Sequence, residues 1–373
     1  MTAGAAPMLA CGRDSASAQD STASLPGSSE TPDGGSTSNS ATTRDDTDAA
    51  TTETHATSSE TGAPRFDVGM QPDTPDGFGE CQAPGHEVCD DNSNDVWHAM
   101  GVGCGSWPAS LSQAADDPRA FHVHEGPIGT HEPAPFPPRA GSKVAIMSTG
   151  FADQLPVDGG IWGQGLGEFN IIPLPPPMVP VNVSNDLDVT CAEDPSLVGT
   201  GDCSNTIEAQ WLGGWEEAHD YAELRMVAAV PGEASGFSFD FAMFSAEYPE
   251  FYYPGSVFND MFIVWLESDT WTGNISFDED GDPISLGALH FDYKDAPNEY
   301  DCPACVAPEL AGTSMVGRAA TKWLTTKASV KPGETIELVF AIYDAVDSAY
   351  DLVAVIDNFQ WICYDGPPVT AAN

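Results

Sequence analysis

Residues 236–267 read GFSFDFAMFSAEYPEFYYPGSVFNDMFIVWLE. Phe237, Phe239, Phe241 and Met243 recur at period two, which on a pleated strand puts all four on one face. The run Met261 to Leu266 is apolar at every position, the pattern of a strand covered on both sides. Between them lies an aromatic segment containing Pro and Gly, with Glu247, Asn259 and Asp260 at the inner ends of the two runs. Two such runs, joined but too far apart for a tight hairpin, predict the centre of a β-sandwich.

Outward from this pair the same signals recur. Lys143–Ser148, Asp220–Val230, Asn274–Phe277, Pro283–Gly287, Thr321–Thr326, Thr335–Tyr343 and Leu352–Cys363 read as further strands, several bounded by Gly, Pro or Asp. Ser93-Asn-Asp followed by Val96, Trp97 and Met100 reads as a capped short helix, with His98 as filler. Asn205-Thr-Ile-Glu208 has the form of a capping box opening a second helix through Trp211. The fold class is therefore all-β, a jelly-roll-like β-sandwich with about two short helices.

Gly12 to Arg65 holds 22 Ser or Thr residues and one large aliphatic, Leu25, too little apolar surface to offset the entropy of ordering. The expected organisation is a partial signal segment at 1–11, a disordered linker at 12–75, a Pro/Gly-rich N-terminal part of the folded region at 76–190, a core sandwich at 191–365 and a tail at 366–373. Met8-Leu9-Ala10-Cys11-Gly12 resembles a bacterial lipobox, in which Cys11 would carry the lipid and residues 12–75 would tether the folded part to a membrane.

The chain has 12 Lys plus Arg against 57 Asp plus Glu, a formal charge of −45. Such a surface repels phosphate backbones, which argues against nucleic-acid binding. Of nine cysteines, Cys11 stands apart, and the remaining eight, Cys81, Cys89, Cys104, Cys191, Cys203, Cys302, Cys305 and Cys363, suit disulfides in an exported protein. Cys302-Pro-Ala-Cys305 has thiol-redox spacing but sits in a polar loop, where a local disulfide is the better reading.

Three sets of residues are candidates for binding. His122-Val-His124 would place both imidazoles on one face if it were a strand, as zinc requires, but its flanking prolines suggest a solvated loop. Asp278-Glu-Asp-Gly-Asp282 is similar to part of a calcium loop, though its flanks favour a plain hairpin turn. The third set is Glu247, Asn259, Asp260, Asp344, Asp347 and Asp357, at strand ends or in loops that a sandwich would gather at one end. Calcium takes six to eight oxygens, and these carboxylates would supply them; the competing reading is ordinary turn and strand-end residues. Among the aromatics Tyr248, Phe251, Tyr252, Tyr253, Trp265 and Trp271, the set Tyr248, Tyr252, Trp265 and Trp271 is a candidate platform for sugar rings, with simple core and loop packing the commoner role of such residues.

The motifs Phe244-Ser-Ala-Glu247-Tyr248, Phe258-Asn259-Asp260, Gly273-Asn-Ile-Ser-Phe277, Ala311-Gly-Thr313, Trp323-Leu-Thr-Thr326 and Asp357-Asn-Phe-Gln-Trp361 occur in this order. Together, over roughly residues 95–364, the chain resembles the choice-of-anchor L domain. The resemblance implies an exported bacterial surface module, often an outer-membrane lipoprotein of myxobacterial type, with no settled biochemical activity. The expected function is a non-enzymatic cell-surface module that binds a glycan or protein ligand, with calcium as its metal. The alternatives are a glycoside hydrolase using paired carboxylates, for instance Glu247 with an Asp, and a purely structural surface component.

Overall fold

The structure is a computed structural model that describes residues 81–373 apart from 91, 106, 164, 167–170, 253–257, 279–280, 287–290 and 297–303. The expectations for Cys11, the 12–75 linker, Tyr253 and Cys302 lie outside the described residues. Those described hold thirteen strands: β1 (Ala109–Ala115), β2 (Phe121–Glu125), β3 (Lys143–Ser148), β4 (Ala218–Ala229), β5 (Gly236–Ser245), β6 (Met261–Glu267), β7 (Thr272–Asn274), β8 (Tyr293–Lys294), β9 (Ala319–Ala320), β10 (Leu324–Ser329), β11 (Thr335–Ala345), β12 (Leu352–Ile362) and β13 (Val369–Ala372). Two short helices accompany them, α1 (Val96–Ala99) and α2 (Glu208–Gly213).

One sheet runs β1-β4-β11-β6-β7 and the other β13-β10-β5-β12-β3-β2, with β9 against β5 and β8 against β9. The long central strands step from sheet to sheet: β4, β6 and β11 belong to the first, β5, β10 and β12 to the second. This alternation is the jelly-roll-like closure expected of the sequence. Strands β1 and β3 are woven into the same sheets, since β1 pairs with β4 and β3 with β12.

The inner faces meet through aromatic contacts. Phe239 on β5 packs edge-on against Phe340 on β11 with centroids 5.0 Å apart, and Phe241 meets Phe262 on β6 at 5.2 Å. The outer faces are covered too. Ala242, Phe244, Val353 and Val355 pack with Ile128, Phe136 and Trp323 over the second sheet. Ile263, Trp265, Val339 and Tyr343 pack with Trp211 and Leu174 over the first. All ten residues of β5 are consequently buried, and so is β6 up to Glu267. The period-two pattern of β5 thus reflects ring size, with phenylalanines facing the other sheet and smaller residues mostly facing outward.

Local chemistry sets the helix starts. Asp95 caps α1 by accepting the Trp97 N–H at 2.8 Å, as Ser93-Asn-Asp predicts. The expected capping box at Asn205 does not form. Asn205 takes a left-handed conformation (φ 56°), and its Oδ1 accepts the Val183 N–H at 2.9 Å. α2 starts at Glu208 behind Ile207, which gives no side-chain cap. The His-x-His pair lies on a strand, β2, rather than in a loop. Asp278 and Asp282 form the expected turn: the Asp278 N–H donates to the Asp282 carbonyl at 2.8 Å, closing the Phe277–Pro283 bridge.

Three disulfides join described cysteines, Cys81–Cys363, Cys89–Cys104 and Cys191–Cys203. Cys305 is also disulfide-bonded. The first ties the start of the described region to the end of β12. Among the described residues no helix is long and apolar enough to cross a membrane.

Candidate functional site

Antiparallel pairing gathers the acids at one end of the sandwich. Leu352 at the start of β12 pairs with Ser245 at the end of β5, which puts Asp351 beside the chain leading into Glu247. Ala246 N–H donates to the Asp351 carbonyl at 3.1 Å. On the other sheet Asp260 immediately precedes β6, and Asp344 lies one residue from the end of β11. These meet because Ala345 N–H donates to Asp260 Oδ1 at 3.0 Å. Asp220, near the start of β4, accepts the Leu166 N–H at 2.8 Å on Oδ1 and lies near enough to Asp344 to raise its pKa. The chain just past β3 closes the group: a methyl on Gly150 would collide with the Asp351 carboxylate and displace it.

Glu247, Asp260 and Asp344 are each 1% exposed. Among the described residues, Glu247 Oε2, Asp260 Oδ2 and both carboxylate oxygens of Asp344 have no hydrogen-bond partner. The Thr149 hydroxyl accepts the Leu352 N–H at 2.9 Å, which leaves its proton free to ease the charge on Asp344. Burial pushes the Glu247 carboxyl up to about 10, with Asp260 and Asp347 adding to the rise and Arg318 opposing it. Burial likewise drives Asp260 well above the carboxylate range, against the Ala345 N–H and with Asp347 and Asp351. Asp344 is driven up in the same way by burial and then by Asp260. Three carboxylates in low dielectric beside one another oppose each other's ionisation.

A half-exposed rim flanks this end. Arg318 donates to the Ala246 carbonyl at 2.8 Å, the Tyr248 carbonyl at 3.1 Å and Glu250 at 2.5 Å. Its guanidinium lies 3.8 Å from the centre of the Trp162 ring, which stacks on Tyr350 at 5.2 Å. Phe251 meets Tyr350 at 5.3 Å. Arg318 is thus held by carbonyls and Glu250 outside the acid group.

Of the expected ligands, Glu247, Asp260, Asp344 and the loop residue Asp347 lie at this end, with Asn259 half-buried beside Asp260. Asp357 does not join them. It pairs with Asp240 further along β12, where its carboxylate accepts the Arg139, Ala140 and Asn358 N–H groups at 2.6, 3.2 and 2.5 Å. Asp351 and Asp220 take its place, neither of them among the expected ligands. The sugar platform is not displayed either. Tyr248 and Trp265 are fully buried and Trp271 is 4% exposed. The Trp265 indole donates to Glu267 at 2.7 Å and that of Trp271 to the Asn274 carbonyl at 3.2 Å. Tyr252 is half-buried under Lys294, whose ammonium lies 4.6 Å from its ring. The rings were legible, but the outer layers that cover them were not. His122 and His124 share a face with centroids 6.5 Å apart. Among the described residues no three His, Cys, Asp or Glu side chains already stand as the ligands of one metal ion.

Residues 223–358 match the family model of the choice-of-anchor L domain. The choice-of-anchor L match runs from Glu223 on β4 to Asn358 on β12, so it contains both central halves of the sandwich and every acid of the site except Asp220. Strands β1–β3 and β13 lie outside it. No curated protein and no solved structure matches the chain.

Proposed function

We propose that the protein is an exported, non-enzymatic surface module of adhesion type that binds a glycan or protein ligand. The observation that carries this reading is the choice-of-anchor L match across the sandwich. The disulfides support it, since such bonds persist in oxidising compartments. The lipid anchor is Cys11, and the protein sits on the bacterial outer membrane. The hydrolase alternative needs a carboxylate pair reachable by a polysaccharide, whereas Glu247 and Asp260 are each 1% exposed. A purely structural coat component predicts no ligand at all.

The test is to produce the full chain in a bacterial host and follow it on intact cells. The expected result is antibody labelling and protease accessibility at the cell surface, with Cys11→Ala releasing the protein from the membrane fraction. Retention of the unaltered protein in the cytoplasm with free thiols would overturn the reading.

A further inference from the structure

A buried carboxylate needs its charge neutralised by a proton, by hydrogen-bond donors or by a cation. Elsewhere this fold uses donors. Asp202, fully buried, accepts the N–H groups of Ser204, Asn274, Thr206 and Ile207 at 3.0–3.3 Å and the Ser204 hydroxyl at 2.7 Å. Among the described residues no such set of donors stands at the acidic end. Four buried oxygens on Glu247, Asp260 and Asp344 lack a partner, and Arg318 is engaged by carbonyls and Glu250. These acids come from three separate chain segments, so the fold converges them rather than carrying them as a run in one loop.

We propose that Asp260 and Asp344, with Glu247, hold a divalent cation at this end of the sandwich, and that Asp347 on the β11–β12 loop completes the site from the solvent side. The donors are all carboxylate oxygens, which suit a hard cation. Zinc would call for nitrogen or sulfur. Calcium fits better than magnesium, because ligands drawn from strand ends and a loop give the variable geometry that calcium accepts and octahedral magnesium does not. Among the described residues the side chains do not surround one point, and Asp347 Oδ1 accepts the Ala349 N–H at 2.9 Å, so a bound cation would have to draw the carboxylates together. The β11–β12 loop carries Tyr350 of the aromatic rim, and a bound cation would therefore fix the rim as well. This inference does not depend on the surface reading, since it is tested in solution.

The experiment uses the full chain with its disulfides intact, stripped with chelator and dialysed. Calcium binding is measured by calorimetry, and the thermal midpoint is followed in chelator, calcium and magnesium at constant ionic strength. The wild type is expected to bind one calcium saturably, within the sub-millimolar to millimolar range of extracellular modules, and to gain several degrees in midpoint, with a smaller gain in magnesium. Asp344→Asn is expected to weaken calcium binding at least tenfold while melting no lower than the wild type in chelator, because it replaces a buried carboxyl that folding otherwise has to keep protonated. Glu247→Gln serves as the second variant if Asp344→Asn does not fold. Asp357→Asn, outside the site, should keep wild-type calcium affinity. No saturable binding up to about 10 mM calcium, well above that range, would overturn the inference and leave the acids as proton-sharing carboxyls. So would unchanged affinity in Asp344→Asn or Glu247→Gln, since binding would then belong to the acidic surface.

Discussion

Asp357 offers the cleanest energetic test, because its carboxyl is buried among donors yet has no cation of its own. Burial pushes it from 3.8 up to about 7, against the N–H groups of Arg139, Ala140 and Asn358 and with Asp240 adding to the rise. Since the folded value lies above the unfolded one, the folded protein holds a proton between these limits that the unfolded chain has released. The stabilisation is complete below about pH 4 and is lost as pH rises towards and through 7, at up to about 1.4 kcal/mol per pH unit. Over about three units the loss is roughly 4 kcal/mol, a large share of a domain's 5–15 kcal/mol. Asp357→Asn cannot titrate. Its oxygen can still serve Arg139 and Ala140, but its NH₂ then faces the Asn358 N–H, a mismatch costing about 1–3 kcal/mol. The variant should therefore gain on the wild type by roughly 3 kcal/mol between pH 5 and pH 8 and should equal or exceed it at pH 8. Urea unfolding followed by tryptophan fluorescence between pH 4.5 and 8.5 gives the difference directly, and titrations elsewhere in the molecule cancel. A difference constant to within about 1 kcal/mol over that range would refute the reasoning.

Two further outcomes follow from the fold. Cys81 and Cys363 are exposed and 282 residues apart, so replacing both with Ala opens no cavity and removes only the constraint on the unfolded chain. Loop-closure entropy puts that loss at roughly 5–6 kcal/mol, against about 3 kcal/mol for Cys89–Cys104; a larger measured loss at Cys89–Cys104 in urea unfolding would contradict it. Phe340→Ala removes a fully buried ring packed on Phe239 at 5.0 Å across the two sheets and should cost about 3–5 kcal/mol, whereas Phe340→Leu should cost clearly less. Equal effects of the two substitutions on the urea midpoint would show that the inter-sheet core is not close-packed there.

How far the sequence could be read depended on whether a signal was local. The phenylalanine period of residues 237–243 and the unbroken apolar run of 261–266 reflect side-chain alternation and two-sided burial, and both are visible along a single strand. Lys143–Ser148 was legible on the same ground and forms β3 with those bounds. The cap at Asn205 failed because its side chain is taken by Val183 and Ser184, which pairing brings in from an earlier segment. Tyr248, Trp265 and Trp271 were misread for a related reason. A large ring in a strand is equally consistent with display and burial until the layers over both sheets are known. Asp351 precedes β12 and Asp357 lies in its middle, and which of them joins the acidic end is fixed by the pairing of Leu352 with Ser245. Carboxylate counting could find an acidic group but not its membership.

The cost of that group bears on why it is there. If Glu247, Asp260 and Asp344 served only to shape strand ends, donors like those around Asp202 would stabilise them, or neutral side chains of similar shape would do so more cheaply. Instead the fold brings four unpartnered carboxylate oxygens together from three segments, at an end where Arg318 stays bound to carbonyls. With 57 acidic residues in the chain there is no shortage of exposed positions for negative charge, so total acidity does not explain acids being placed inside. An arrangement that destabilises the unliganded protein and is relieved by a cation couples the geometry of the β11–β12 loop to the ion. That coupling distinguishes a cation site from shared protons, because only the cation makes Asp344→Asn raise stability in chelator and lower it, relative to the wild type, in calcium.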